Sequence, residues 1–129
     1  PEVIEETDFA ASLGIDLSAM TRTATGLYIE EIELGTGKTA TAGDVATVTY
    51  TGVLSNAATF DAGTFSFTLG SGGVIPGFDE GVTGMRVGGT RRVVIPPELG
   101  YGNSGSGSIP PGSILIFRIH LDALDSDLF

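Results

Sequence analysis

Cysteine is absent from this chain of 129 residues, which excludes disulfides, thiolate catalysis and cysteine-based metal sites. Basic residues are scarce: 6 lysines and arginines face 16 aspartates and glutamates, for a formal net charge of -10. Nucleic-acid binding needs a cationic footprint that releases counterions from phosphate, so no nucleic-acid partner is expected, and an anionic membrane surface is disfavoured for the same reason. The plain consequence of the charge is solubility. Histidine occurs once, and no G-x-S-x-G elbow is present, so a serine hydrolase lacks its parts. Nor does any apolar run approach the ~20 residues of a membrane-spanning helix.

What is present is an ordinary globular composition, 41% hydrophobic, with an unusual 20 glycines. That length supports one domain with a real core and not two. The glycine count suggests many turns and short strands. Residues 1–25 read as an N-terminal arm and 26–129 as the domain. Within the arm, Phe9, Leu13 and Leu17 recur every four residues with Met20 three further on, which predicts a short amphipathic helix that Gly14 weakens. Such an arm either packs on its own domain or serves as a dimerisation or partner helix. The chain opens at Pro1, as expected of a processed or trimmed product, and any signal or lipid-attachment segment would lie upstream.

From residue 27 the pattern becomes that of strands. LYIEEIEL is followed by the turn GTGK, then by DVATVTYTGVL, where Ala46, Val48 and Tyr50 share one face and Thr47, Thr49 and Thr51 the other. TFSFTLG alternates Phe65, Phe67 and Leu69. TRRVVIP follows a Gly88-Gly89 hairpin signal. SILIFRIHLDAL sets Leu115, Phe117, Ile119 and Leu121 against Arg118, His120 and Asp122. Only PGFDEGVTGM, residues 76 to 85, reads as a helix: Pro76 suits its first position, Asp79 and Glu80 its first turn, and Gly84 its end. The expected fold is α+β, a twisted antiparallel sheet of about five strands wrapped around one short α-helix.

Several polar features carry no chemistry. Gly100, Gly102 and Gly105 match G-x-G-x-x-G, but a Ser/Gly run and Pro110-Pro111 follow where the dinucleotide helix would begin. Neighbouring Asp79 and Glu80 do not face each other on a helix and read as helix N-terminal charges. Glu30, Glu31 and Glu33 read as a solvated strand face, His120 as solvated, and Asp122, Asp125 and Asp127 as an acidic tail without calcium-loop spacing. The segment PPELGYGNSGSGSIPP, residues 96 to 111, admits three readings: a linker, a phosphate loop or a loop over a binding site. Aromatic residues remain. Tyr50, Phe60, Phe65, Phe78, Tyr101 and Phe117 lie on separate elements, where they are either core or the lining of one concave pocket.

The ordered motifs VTYTGVL, TFDAG, FSFTLGSGGVIPGFDEGVTGMRVGG, VIPPELGYG and IPPGSILIFRIHL resemble the FKBP-type peptidyl-prolyl isomerases, over residues 26 to 124. The resemblance implies the sheet-around-helix fold, an active isomerase that assists folding, and no metal or cofactor. It implies a pocket for a prolyl side chain lined by Tyr50, Phe60, Asp61, Phe65, Val74, Ile75, Phe78, Tyr101, Ile109 and Phe117. Phe78 would be its floor, and the Ile75 N–H and Tyr101 hydroxyl would hold substrate carbonyls. Asp61, anchored by Tyr50, would act electrostatically on the rotating carbonyl and not as a proton carrier.

The implied partners are proline-containing peptides, unfolded proteins and macrolide inhibitors such as rapamycin, met by a monomer. An exported or membrane-attached bacterial protein is expected, with a cytoplasmic one as the alternative. Residues 96 to 111 become a loose flap over the pocket. Three departures from the family pattern stand out: Phe78 replaces a common tryptophan, the Asp61–Phe65 segment is shorter, and the loop after Tyr101 is shorter with a Ser/Gly tip. The last two bear on substrate preference and drug affinity. Beside the isomerase stand a proline-binding module without turnover and a structural β-domain with a filled core.

Overall fold

The computed structural model describes residues 1–125. Six strands form one antiparallel sheet: β1 (Thr21–Arg22), β2 (Tyr28–Glu33), β3 (Val45–Leu54), β4 (Thr59–Thr68), β5 (Thr90–Ile95) and β6 (Leu115–Leu124), in the order β1-β2-β5-β6-β3-β4. Among the described residues a single α-helix, α1 (Pro76–Val82), lies across its concave face and packs on β5 and β6. This is the expected α+β arrangement.

Helix and sheet approach closely because the helix offers glycine to β5. A Cβ on Gly77 would sit 2.4 Å from Cγ2 of Ile95, and one on Gly81 would sit 3.0 Å from Cγ1 of Val93. The helix ends earlier than residue 85. Thr83 is already extended at ψ 128, Gly84 turns left-handed at φ 89, and the Arg91 guanidinium donates to the Gly81 and Thr83 carbonyls at 3.1 and 2.9 Å. Those contacts satisfy carbonyls that a longer helix would have used internally.

The sheet is buried on both faces at its centre. Consecutive apolar residues Val93, Val94 and Ile95 on β5, and Leu115, Ile116 and Phe117 on β6, are all buried, the pattern of strands covered on two sides. The concave face holds Val48, Phe67, Leu69, Phe78, Val82, Val93, Ile95, Leu115, Phe117, Ile119 and Leu121. Behind it, Tyr28, Val94, Ile114 and Ile116 are covered by the arm through Ile4, Phe9, Leu13, Ile15, Leu17 and Met20.

The arm is not the expected amphipathic α-helix. It forms three single 3-10 turns, Ile4–Glu6, Ala11–Leu13 and Leu17–Ala19. Gly14 breaks the run at φ 60, and the Asp16 carboxylate then accepts from the Ser18 N–H and hydroxyl at 3.1 and 2.6 Å. Phe9, Leu13, Leu17 and Met20 nevertheless reach one apolar surface. Polar ties hold the arm down: Glu2 accepts from the Ile114 N–H at 2.9 Å and from the Ser55 hydroxyl at 2.7 Å, and Arg92 donates to the Leu13 and Gly14 carbonyls.

Several side chains expected in water have partners. Antiparallel register sets Glu30 opposite Arg92 and Glu31 opposite Arg91, and both pairs form ion pairs, whereas Glu33 stays exposed. His120 Nδ1 meets Asp122 at 2.6 Å, and Asp125 accepts from the Val45 N–H at 2.9 Å. Asp127 lies outside the described residues. Asp79 accepts from the Gly70 N–H with both oxygens at 3.0 Å, tying the β4–α1 loop to the helix, and Glu80 accepts from Thr25 at 2.6 Å.

Phe67 is 8% exposed, stacks on Phe65 at 5.4 Å and meets Phe78 at 5.7 Å. Phe67→Ala should destabilise the domain by about 3–5 kcal/mol, measured by chemical denaturation; an unchanged midpoint would remove Phe67 from the core.

Candidate functional site

Between α1 and the strands β3, β4 and β6 lies a cavity of about 160 Å³ lined by Tyr50, Asp61, Phe65, Gly73, Val74, Ile75, Phe78, Tyr101 and Phe117. Apolar cavities of about 150 Å³ admit a ligand the size of benzene, so this one suits a single small ring. A larger hollow of about 390 Å³, beside Pro1, Ser55 and Pro110, has no aromatic lining. Both Glu2 oxygens at its wall are already engaged, which leaves it little means of recognition.

The wall and floor are a nest of rings. Phe78 meets Tyr50 at 5.6 Å, Phe65 at 5.7 Å and Phe117 at 5.0 Å, the last at an interplanar angle of 87°. Edge-to-face contacts of this kind add about 0.5–1.5 kcal/mol each beyond area burial and hold the rings in fixed orientation. Phe78 is the third residue of α1, so the first turn of this short helix delivers the ring.

One charged group enters the apolar nest. The Tyr50 hydroxyl donates to Asp61 Oδ2 at 2.7 Å, and the Ala62 N–H donates to Asp61 Oδ1 at 2.9 Å. Both carboxylate oxygens are thereby fixed. Burial, followed by the hydrogen bond to Asp61 and the charge of Asp61, pushes the Tyr50 hydroxyl up to about 12. The phenol stays protonated and remains a donor to the carboxylate.

Two polar groups at the rim have no partner among the described residues. The Ile75 N–H precedes α1, whose first backbone bonds run from Phe78 and Asp79 back to the Ile75 carbonyl. The Tyr101 side chain, 39% exposed, stands at the start of the loop over the cavity. That loop is tied by backbone bonds despite its Ser/Gly tip: Gly102 N–H to the Pro97 carbonyl at 2.9 Å, Gly105 N–H to Tyr101 at 3.2 Å, and reciprocal bonds between Ser106 and Ile109 at 3.0 and 2.7 Å.

The family model of FKBP-type peptidyl-prolyl cis-trans isomerases matches residues 36–122. This chain belongs to that family. A relative from Neisseria meningitidis serogroup B, "FK506-binding protein", is 47% identical over 102 residues, covering 74% of this chain and 94% of the relative. "FK506-binding protein 3" of Candida albicans is 48% identical over 103 residues, 77% of this chain but 24% of that longer protein. Among solved structures, FkpA from Escherichia coli superposes with a TM-score of 0.77 at 34% identity, over 88% of this chain and 55% of that one.

Of the ten residues that the FKBP pattern nominates, eight line the cavity. Phe60 and Ile109 are not among its lining residues. Phe60 is the extra residue where the β3–β4 register shifts, and its ring packs on Phe117 at 5.4 Å. Ile109 is buried in the main core and anchors the loop's far end. The shortened Asp61–Phe65 segment shows as an unbroken ladder, with Thr51, Tyr50 and Thr49 opposite Ala62, Gly63 and Thr64.

Sequence reasoning missed Gly73, in the cavity wall, and Gly52. A Cβ on Gly52 would come within 2.6 Å of Phe60 and 2.7 Å of Phe117. Glycine inside a strand pattern is the available signal for such close approach.

The Tyr50 shift gives a pH dependence. Its folded value near 12 lies above the ordinary 10.0, so this contribution to stability is complete below about pH 10 and is lost as pH rises toward 12. Denaturation from pH 8 to 11.5 should show a fall at the alkaline end that is smaller in Tyr50→Phe; identical slopes would place Tyr50 in water.

Proposed function

We propose that this FKBP domain, acting as a monomer on proline-containing peptides and unfolded chains, seats the prolyl ring in the Phe78 nest and accelerates rotation of the preceding amide. The observation that carries this reading is the aromatic-lined cavity with a single immobilised carboxylate at its edge. The same cavity is the site we propose for macrolide ligands such as rapamycin.

The chemistry matches what such a cavity provides. Rotation breaks no covalent bond; its barrier, about 18–20 kcal/mol, is the amide resonance that twisting removes. Unassisted, the process takes on the order of tens to hundreds of seconds. A planar amide is more charge-separated than a twisted one, so removing water costs the ground state more than the transition state. A site complementary to the twisted form therefore speeds the reaction in both directions.

Phe65, Phe78 and Phe117 supply the dry walls, and Val74 and Ile75 complete them. The Ile75 N–H and the Tyr101 hydroxyl, both without partners among the described residues, are placed to donate hydrogen bonds to substrate carbonyls and fix the chain on either side of proline. Asp61 faces the carbonyl that turns. Because Tyr50 and Ala62 hold both of its oxygens, its field has a fixed direction and need not reorganise as the amide twists. Phe60 and Ile109 border this site, one through its contact with Phe117 and the other through the loop over the cavity.

An assay of cis-to-trans conversion in a short X-Pro peptide should show acceleration over buffer. Asp61→Leu should lower kcat/KM by about 10- to 100-fold, the equivalent of one charge-assisted interaction, with little change in the denaturation midpoint. No acceleration by the native protein, with peptide binding still measurable by calorimetry, would favour a proline-binding module over an enzyme.

A further inference from the structure

β4 is one edge of the sheet. Its inner side pairs with β3, and among the described residues no strand pairs with its outer side. Three hydrogen bonds identify the backbone groups that face out. The Ala62 N–H turns to the Asp61 carboxylate, and the Thr68 carbonyl accepts from the Ser71 N–H and hydroxyl at 3.3 and 2.8 Å. The register is continuous from Val45 opposite Thr68 to Gly52 opposite Asp61. Alternation in an antiparallel pair then turns the backbone of Thr64 and Ser66 outward as well.

The open edge thus carries the N–H groups of Thr64 and Ser66 and the carbonyls of Ala62, Thr64 and Ser66. Natural edges are usually blunted by lysine, proline or a bulge. None interrupts residues 62–67: the register shift lies at Phe60, and the chain turns away only after Thr68. On the outer face the Thr47–Ser66 and Thr49–Thr64 hydroxyl pairs, at 2.7 and 2.9 Å, hold the edge strand to β3. The edge is therefore continuous, held in place and, among the described residues, unpaired.

Asp61 and Phe65, two of the residues that line the cavity, belong to this same strand. A polypeptide leaving the cavity across their wall meets the open edge of β4. We infer that β4 is a second, backbone-reading subsite, to which the extended flank of the proline-containing substrate adds as a further strand. This rests on the reading of the cavity as the proline seat. Strand addition gives affinity through main-chain bonds and reads side chains weakly, which suits clients recognised as extended, unfolded chain. A second copy of this protein is the competing occupant, but each copy carries a net charge of -10, and like charge opposes edge-to-edge approach. The occupant is a neutral or basic extended segment.

The test compares four peptides on the wild-type protein: a tetrapeptide, a ten-residue peptide with the same X-Pro core, and two versions of the latter N-methylated at alternate residues of the flank. The long peptide should have a KM about tenfold lower than the tetrapeptide at similar kcat, as one or two added main-chain bonds provide. N-methylation of one alternate set should abolish that gain, and of the other set should not, because only alternate N–H groups face β4. No gain on extension, or equal behaviour of the two methylated peptides, overturns the inference. If the tetrapeptide is not isomerised at all, the cavity reading fails separately; calorimetry with the two methylated peptides then decides the edge by the same criterion. A dimer in sedimentation that the long peptide does not dissolve assigns the edge to a second copy and also overturns it.

Discussion

The structure depends on how closely a seven-residue helix approaches the sheet. Phe78 must reach Tyr50, Phe65, Phe67 and Phe117 at centroid distances of 5.0 to 5.7 Å, and no long side chain can stand between α1 and β5. Gly77 and Gly81 meet that condition against Ile95 and Val93. Arg91 finishes the helix from the neighbouring strand, and Asp79 ties its first turn to Gly70 at the end of β4. A helix this short is too brief to stand alone, so its place is set by packing and these polar ties.

The sheet under the helix is rigid for a related reason. Its central strands bury both faces, and the arm supplies the second cover that a lone sheet-and-helix pair would lack. Glu2 joins the β3–β4 turn at Ser55 to the end of the site loop at Ile114. The arm thereby connects the two segments that flank the Phe60–Phe117 pair, although it touches nothing in the cavity. Carboxylate against N–H and hydroxyl is among the stronger hydrogen bonds available to a half-exposed group.

Much of this was legible in the residues. The strands of residues 27–34, 44–54, 90–96 and 113–124 were located nearly to the residue, by period-two alternation in 44–54 and 113–124 and by the neighbouring turn signals GTGK and Gly88-Gly89 for the other two. The motifs around Asp61, Val74 to Phe78 and Tyr101 located the cavity. What escaped was of a different kind. The arm's spacing announced burial correctly but not the conformer, because Gly14 and Asp16 impose local turns on residues that tertiary contacts would bury in either form. The β4 strand begins at Thr59, earlier than its alternating aromatics suggest, because backbone pairing with β3 extends it through the small residues Ala62 and Gly63. The pairing of Glu30 and Glu31 with Arg92 and Arg91 needed the β2–β5 register, which no single strand contains. The β3–β4 register shift at Phe60 likewise leaves no mark in composition.

Cavity, carboxylate and edge strand share one design principle: each group that meets the substrate is held before the substrate arrives. The rings are locked by one another, Asp61 by Tyr50 and its own neighbour, and β4 by β3. Such preorganisation is where a site without a nucleophile finds its rate. The most direct measurement of the central claim is a nuclear Overhauser experiment on a bound X-Pro peptide. The account predicts contacts from the prolyl ring protons to the Phe78, Phe117 and Tyr50 rings; contacts instead to Pro110 and Ser113 beside the larger hollow, with none to Phe78, would contradict it.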